Sequence, residues 1–250
     1  MPKILICTVD AWNSKLSASS SNTFSALFSQ YDSQDLANVY IREELPDSKV
    51  CSRYFQISEQ RVIKSLFKPK IKAGREVATE EASKSDLDAI EKYNDLYGKN
   101  RAKRSYFKLF IREIVWLFGR WRSKELDAFL EDFSPDVVVF SMEGYIHFNR
   151  ICRYIVKKTG AKAIGYFWDD NFTYKQLKNN LGFRMFRFFQ RRSLKKLAKR
   201  TNKFWAISPK TKKEAGAAHF NKNFFFFVKL ILSNLLIKNK ERHKFKIILF

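Results

Sequence analysis

Six short runs of β-branched and aromatic residues recur along the chain: KILICTV (3–9), LANVYI (36–41), VCSRYFQI (50–57), DVVVFS (136–141), AKAIGYFW (161–168) and KFWAIS (203–208). Runs such as VVVF lack polar alternation, the pattern of a strand covered on both faces. Amphipathic stretches separate them. Residues 105–132 carry Phe107, Phe110, Ile111, Ile114, Leu117, Phe118 and Trp121 at a spacing that predicts a core-facing helix, and residues 148–159 and 177–200 repeat the pattern. Strand alternating with helix predicts an α/β domain, an open parallel sheet flanked by helices of the doubly wound, Rossmann-like kind.

The sequence has 250 residues with 45% apolar content, enough for a substantial core. The β/α pattern occupies residues 1–220. Within it, residues 68–104 are polar with few large apolar positions, which predicts an insertion or mobile loop bearing one surface helix. From residue 221 the composition shifts to Phe, Ile, Leu, Lys and Asn, an atypical tail over 221–250 that fits a frame-shifted end better than it fits an aggregation-prone strand or an interfacial segment. Its apolar part, Phe224 to Ile237, contains Lys229 and is shorter than the ~20 residues a bilayer span needs.

Charge is distributed unevenly. Residues 1–170 hold 27 Lys+Arg against 23 Asp+Glu, whereas residues 171–250 hold 21 against 2, so nearly all of the net +23 lies in the last third. Cys7, Cys51 and Cys152 are far apart and have no CxxC or His spacing, which suggests neither a disulfide frame nor a zinc site, and a reduced compartment. The opening MPKILICTVDAW is too short in its apolar run for a signal peptide and predicts a cytoplasmic chain.

In an open parallel sheet, ligands bind beyond the carboxyl ends of the strands. The first strand ends at Asp10 and enters AWNSKLSASSSNTF, whose Asn13, Ser19, Ser20, Ser21 and Asn22 offer amides and hydroxyls to a polyhydroxyl or phosphate-bearing ligand; Ser21 or Asn22 reads as the N-cap of the next helix. No GxGxxG follows, so a dinucleotide fingerprint is absent. DVVVFS is followed by Glu143, and AIGYFW by Asp169 and Asp170: candidate general bases or acceptors for sugar hydroxyls. Each also fits an ordinary turn or helix cap. His147, one turn beyond Glu143, is a weaker candidate, and Ser208 and Pro209 read as the opening of a helix.

Taken together, KILICTVDAW, the segment from DLANVYIREELPDSKVCSRYFQ to KAGRE, PDVVVFS, GYFWDDNFTYKQ and RTNKFWAISPKTKKEA resemble the N-terminal half of bacterial GT-B glycosyltransferases that build capsular or exopolysaccharide units. The resemblance spans roughly residues 1–218. It implies two Rossmann-like domains facing a cleft, the first holding the acceptor and the second a nucleotide sugar as co-substrate, with no other cofactor. The implied reaction is hexosyl transfer to a lipid-linked saccharide. No second β/α half follows residue 218, so the expectation is a truncated, acceptor-side half, its nucleotide-sugar domain absent or separately encoded. A non-catalytic basic module that works with a partner domain is the alternative.

The segment FRMFRFFQRRSLKKLAKR (183–200) concentrates the charge. On a helical projection Phe183, Phe186, Phe189, Leu194 and Leu197 form a core side; Arg184, Arg187, Arg191, Arg192, Lys195, Lys196 and Lys199 form the other, with Met185 and Phe188 among them. That side has the make-up of an anionic membrane surface contact, at ~1 kcal/mol per basic residue, and predicts a peripheral protein on the inner face of the cell membrane. Two competing readings are a solvated basic face and a nucleic-acid surface. Residues 171–213 lack acidic side chains, which favours nucleic acid, but no nucleic-acid-binding motif accompanies them and none is expected to bind.

Overall fold

In the computed structural model, which describes residues 1–12, 19–68, 70–77, 106–167, 180–206, 211, 213 and 224–226, the apolar runs line up as one sheet. Its strands are β1 (Ile4–Thr8), β2 (Leu36–Tyr40), β3 (Arg53–Ile57), β4 (Gly74–Val77), β5 (Val137–Ser141), β6 (Lys162–Phe167), β7 (Lys203–Ala206) and β8 (Phe224–Phe226). The order is β4-β3-β2-β1-β5-β6-β7-β8. Every neighbouring pair is parallel except β3–β4. The fold is an α/β, Rossmann-like open sheet flanked by helices.

Six helices flank it among the described residues: α1 (Ser19–Leu27), α2 (Glu59–Phe67), α3 (Tyr106–Phe118), α4 (Lys124–Phe133), α5 (Ile146–Thr159) and α6 (Leu181–Ala198). Strand alternation divides β1 between two cores. Ile4 and Ile6 pack with Phe24 of α1 and Phe28 just after it, while Leu5 and Cys7 join Leu126, Phe129, Ile151 and Leu194 of α4, α5 and α6. Both faces are covered, so every residue of β1, β2 and β5 is buried, as the unbroken apolar runs require. Gly160 ends α5 at φ 68°, where its lack of a Cβ removes the steric cost.

Three expectations are corrected. The stretch 105–132 is two helices: α3 stops at Phe118, Gly119 comes against Val62, and Ser123 accepts the Leu126 N–H at 3.2 Å to start α4. The apolar stripe of α3 faces outward, with Phe107, Ile111, Ile114, Leu117 and Phe118 exposed, and the helix buries Glu113 and Trp116 instead. Within the polar stretch 68–104, Gly74–Val77 forms edge strand β4. It buries Gly74 and Val77 and leaves Glu76 exposed to pair with Arg53 at 2.7 Å, a charged edge that discourages further strand pairing. Residues 78–105 lie outside the described residues.

Beyond residue 220, β8 pairs with β7 in parallel register, Trp205 opposite Phe225. No helix among the described residues is long and apolar enough to cross a membrane.

Candidate functional site

The strand order reverses at β1, whose neighbours are β2 and β5, the point at which an open α/β sheet offers a crevice beyond its strand ends. Asp10 lies there, just past the end of β1, 8% exposed. Arg42, just past β2, reaches Asp10 Oδ1 and stands 3.7 Å from Glu44 Oε1. Glu44 Oε2 accepts the Ala11 N–H at 3.1 Å, and Thr8 Oγ1 donates to the Asp10 carbonyl at 2.7 Å. Asn38 Nδ2 in turn donates to Thr8 Oγ1 at 2.9 Å. The start of the first loop is therefore clamped by side chains from the end of β2.

Burial, reinforced by the Asp10 carboxylate, pushes the Glu44 carboxyl up to about 7; Arg42 and the Ala11 N–H oppose this without reversing it. A carboxyl that titrates near neutrality at a strand tip suits proton exchange with hydroxyl ligands. Arg42 and Glu44 were not among the sequence-derived candidates, although they stand at a strand end, in REELPD directly after LANVYI. Glu43 is occupied in holding the start of α2, where Ser58 Oγ donates to its Oε1, as does the Gln60 N–H at 3.1 Å.

Glu143 follows β5, which pairs with β1 through Cys7 and Phe140, so Asp10 and Glu143 stand past neighbouring strand ends. Glu143 is half-buried, and its carbonyl accepts Asn149 Nδ2 at 3.0 Å. Four buried polar atoms on Trp12, Ser141, His147 and Asn149, namely Nε1, Oγ, Nε2 and Oδ1, have no hydrogen-bond partner among the described residues. Ser141 follows Val137 and Val139 on one sheet face, the face that carries Trp12. Buried polar atoms are rarely left unmatched, and of these four the Trp12 and Ser141 atoms share the sheet face beside β1 and β5, where water or a polar ligand would complete their pairing.

No family model matches the sequence, and neither a curated protein nor a solved structure matches it.

His147 does not share a helix with Glu143, because α5 begins only at Ile146. Its Nδ1 lies 2.9 Å from Glu113 Oε1, and its ring stacks on Trp116 at 4.6 Å. Glu113 also accepts the N–H groups of Ile146 and His147 at 3.1 and 2.8 Å. Tyr145, the α5 N-cap residue, does not cap the helix with its own side chain, so a carboxylate from α3 caps α5 across the tertiary structure. Burial works against the Glu113 charge, yet His147, the Ile146 N–H and Arg112 hold its pKa below the ordinary value.

Ser19, Ser20, Ser21 and Asn22 all lie inside α1, which corrects the expected N-cap at Ser21 or Asn22. The side chains of these four residues, together with Asn13, Asp169, Asp170, Ser208 and Pro209, lie outside the described residues.

On α6, Arg184, Arg192 and Lys196 are exposed, as is Lys199 at its C-cap, and Arg191 and Lys195 are half-buried. Arg187 is not on the basic surface. It is 4% exposed with its guanidinium 5.3 Å from the Phe183 ring, because position 187 falls one turn after Phe183 on the inward side. Phe189, expected in the core, is 44% exposed at the rim of the α3 contact, 5.9 Å from Phe110.

The cysteines Cys7, Cys51 and Cys152 are buried free thiols, and among the described residues no group of three or more His, Cys, Asp and Glu side chains is arranged to hold a metal ion. A depression of about 530 Å³ lies away from the crevice, between β3, β4 and α4. Its charged rim is largely neutralised internally by Arg53–Glu76 and Lys72–Glu125 pairs.

Proposed function

We propose that the described unit is the acceptor-binding half of a glycosyltransferase, serving hexosyl transfer from a nucleotide sugar to a lipid-linked saccharide in surface polysaccharide synthesis. The observation that carries this reading is the convergence of Asp10, Arg42 and Glu44 with the unmatched donors and acceptors of Trp12 and Ser141 at the point where the strand order reverses. A saccharide supplies many hydroxyls that both donate and accept, and a cluster of carboxylates, a guanidinium, a hydroxyl and an indole N–H matches that demand. The resemblance of residues 1–218 to GT-B acceptor halves supports the same ligand class. Asp10 and Glu44 serve as hydroxyl acceptors, and Glu143, at the neighbouring strand end, is a further acceptor, with Asp169 and Asp170 the remaining candidates from the sequence.

Saturation-transfer NMR of the purified chain with short saccharides tests the reading. Signal is expected for hexose-containing oligosaccharides, and loss of that signal is expected in Asp10→Ala. Oligosaccharides that fail to engage, or that engage Asp10→Ala equally, would refute it. Transfer or hydrolysis assays with nucleotide sugars on the same preparation report whether a donor site accompanies the acceptor site.

A further inference from the structure

Thirteen large apolar side chains are exposed among the described residues, and twelve of them lie on α2, α3 and α6. These helices are neighbours. On one flank of α3, Arg112 and Trp116 meet Glu59 of α2; on the other, Phe110 packs edge-on against Phe186 of α6 at 5.2 Å. Between the flanks, Phe107, Ile111, Ile114 and Phe118 form a single outward stripe at 45 to 72% exposure. Phe67 of α2, at 82%, and Leu181 and Phe188 of α6, at 74% and 54%, extend it sideways.

We propose that the α2–α3–α6 face is a membrane-insertion surface whose apolar side chains enter an anionic lipid bilayer while the basic residues around them hold the headgroups. The charge of the three helices is one-sided. Lys64, Lys108, Arg184, Arg192 and Lys196 are exposed on them. Their acidic residues, Glu59 and Glu113, are both turned inward, the first to Arg112 and the second to the start of α5. A second copy of the chain would bring like charge against like charge, whereas an anionic lipid surface complements both the rings and the cations. An apolar patch of this extent left to water is itself unusual for a soluble domain.

The face also neighbours the crevice. Gln190 of α6 donates to the carbonyl of Gly144, in the loop that carries Glu143. A lipid-borne ligand held at this surface would meet that loop. The membrane contact stands independently of sugar transfer, since Asp10, Trp12, Arg42, Glu44 and Ser141 lie on none of these three helices.

Flotation of the full chain with vesicles of phosphatidylcholine plus phosphatidylglycerol, and of phosphatidylcholine alone, tests it. Binding to the anionic vesicles is expected, with part of it surviving high salt because ring insertion is not screened. Phe107→Ser with Phe118→Ser should weaken that salt-resistant binding by about tenfold or more, with an unchanged circular dichroism spectrum, since both rings are exposed. Arg184→Glu with Lys196→Glu should remove the preference for anionic lipid. Absence of vesicle binding, equal binding by the Phe variant, or a dimer in sedimentation that the Phe variant dissociates would each overturn the proposal.

Discussion

Glu113 of α3 accepts the backbone N–H of His147 at 2.8 Å while facing the same residue's Nδ1 at 2.9 Å, so one carboxylate both caps α5 and holds the imidazole against Trp116. The bond is the polar hinge between α3, which lies at the surface, and the helix that follows β5.

Removing this carboxylate should be costly. Glu113→Ala leaves two helix N–H groups and a buried imidazole without an acceptor, and urea unfolding at neutral pH should show a loss of about 2–4 kcal/mol. Glu113→Gln keeps an acceptor oxygen and should lose less. Because the folded pKa lies below 4.5, the charged carboxylate contributes stability above that value, and the contribution fades as pH falls through the lowered pKa. The gap between wild type and Glu113→Gln should narrow correspondingly in acid.

Glu44 runs in the opposite sense. Its folded pKa of about 7 exceeds its unfolded value, so the native state binds the extra proton and stability falls as pH rises from about 4.5 through 7. Glu44→Gln removes this ionisation. It should flatten that slope and be more stable than wild type at pH 8 by on the order of 2 kcal/mol, read from thermal unfolding across the pH series.

Gly119 sits where the end of α3 meets α2. A Cβ there would run into Val62 Cγ1 and come 2.9 Å from the Val115 carbonyl oxygen. Gly119→Ala should therefore destabilise by about 1–3 kcal/mol, and Val62→Ala in the same chain should recover part of the loss in a double-mutant cycle.

Ser141 carries a buried hydroxyl without a partner among the described residues. Ser141→Ala removes a group that is desolvated and uncompensated, so chemical denaturation should show a change of less than about 0.5 kcal/mol or a small gain. Saccharide signal in the NMR assay should decline in this variant although stability does not.

The strand pattern was legible in the sequence because a strand covered on both faces admits little but apolar side chains, and β1, β2, β5 and β6 announce that directly. Asp10 and Glu143 followed as strand-end residues. Arg42 and Glu44 were equally readable from their place after LANVYI, but nothing local distinguishes a clamp from a turn; the distinction is the Arg42 approach to Asp10 from another strand.

Periodicity along a helix records that one side is apolar and leaves open which side meets the core. In α6 the two coincide except at Arg187 and Phe189, whereas in α3 the polar demand of the α5 N-terminus and the imidazole of His147 drew Glu113 and Trp116 inward and left the ring stripe outside. The order of secondary structure was thus determined by local composition. The orientation of α3 and the pairing of buried charges were decided only in the assembled fold, because they depend on partners distant in sequence whose hydrogen-bonding needs outweigh the burial of a few rings.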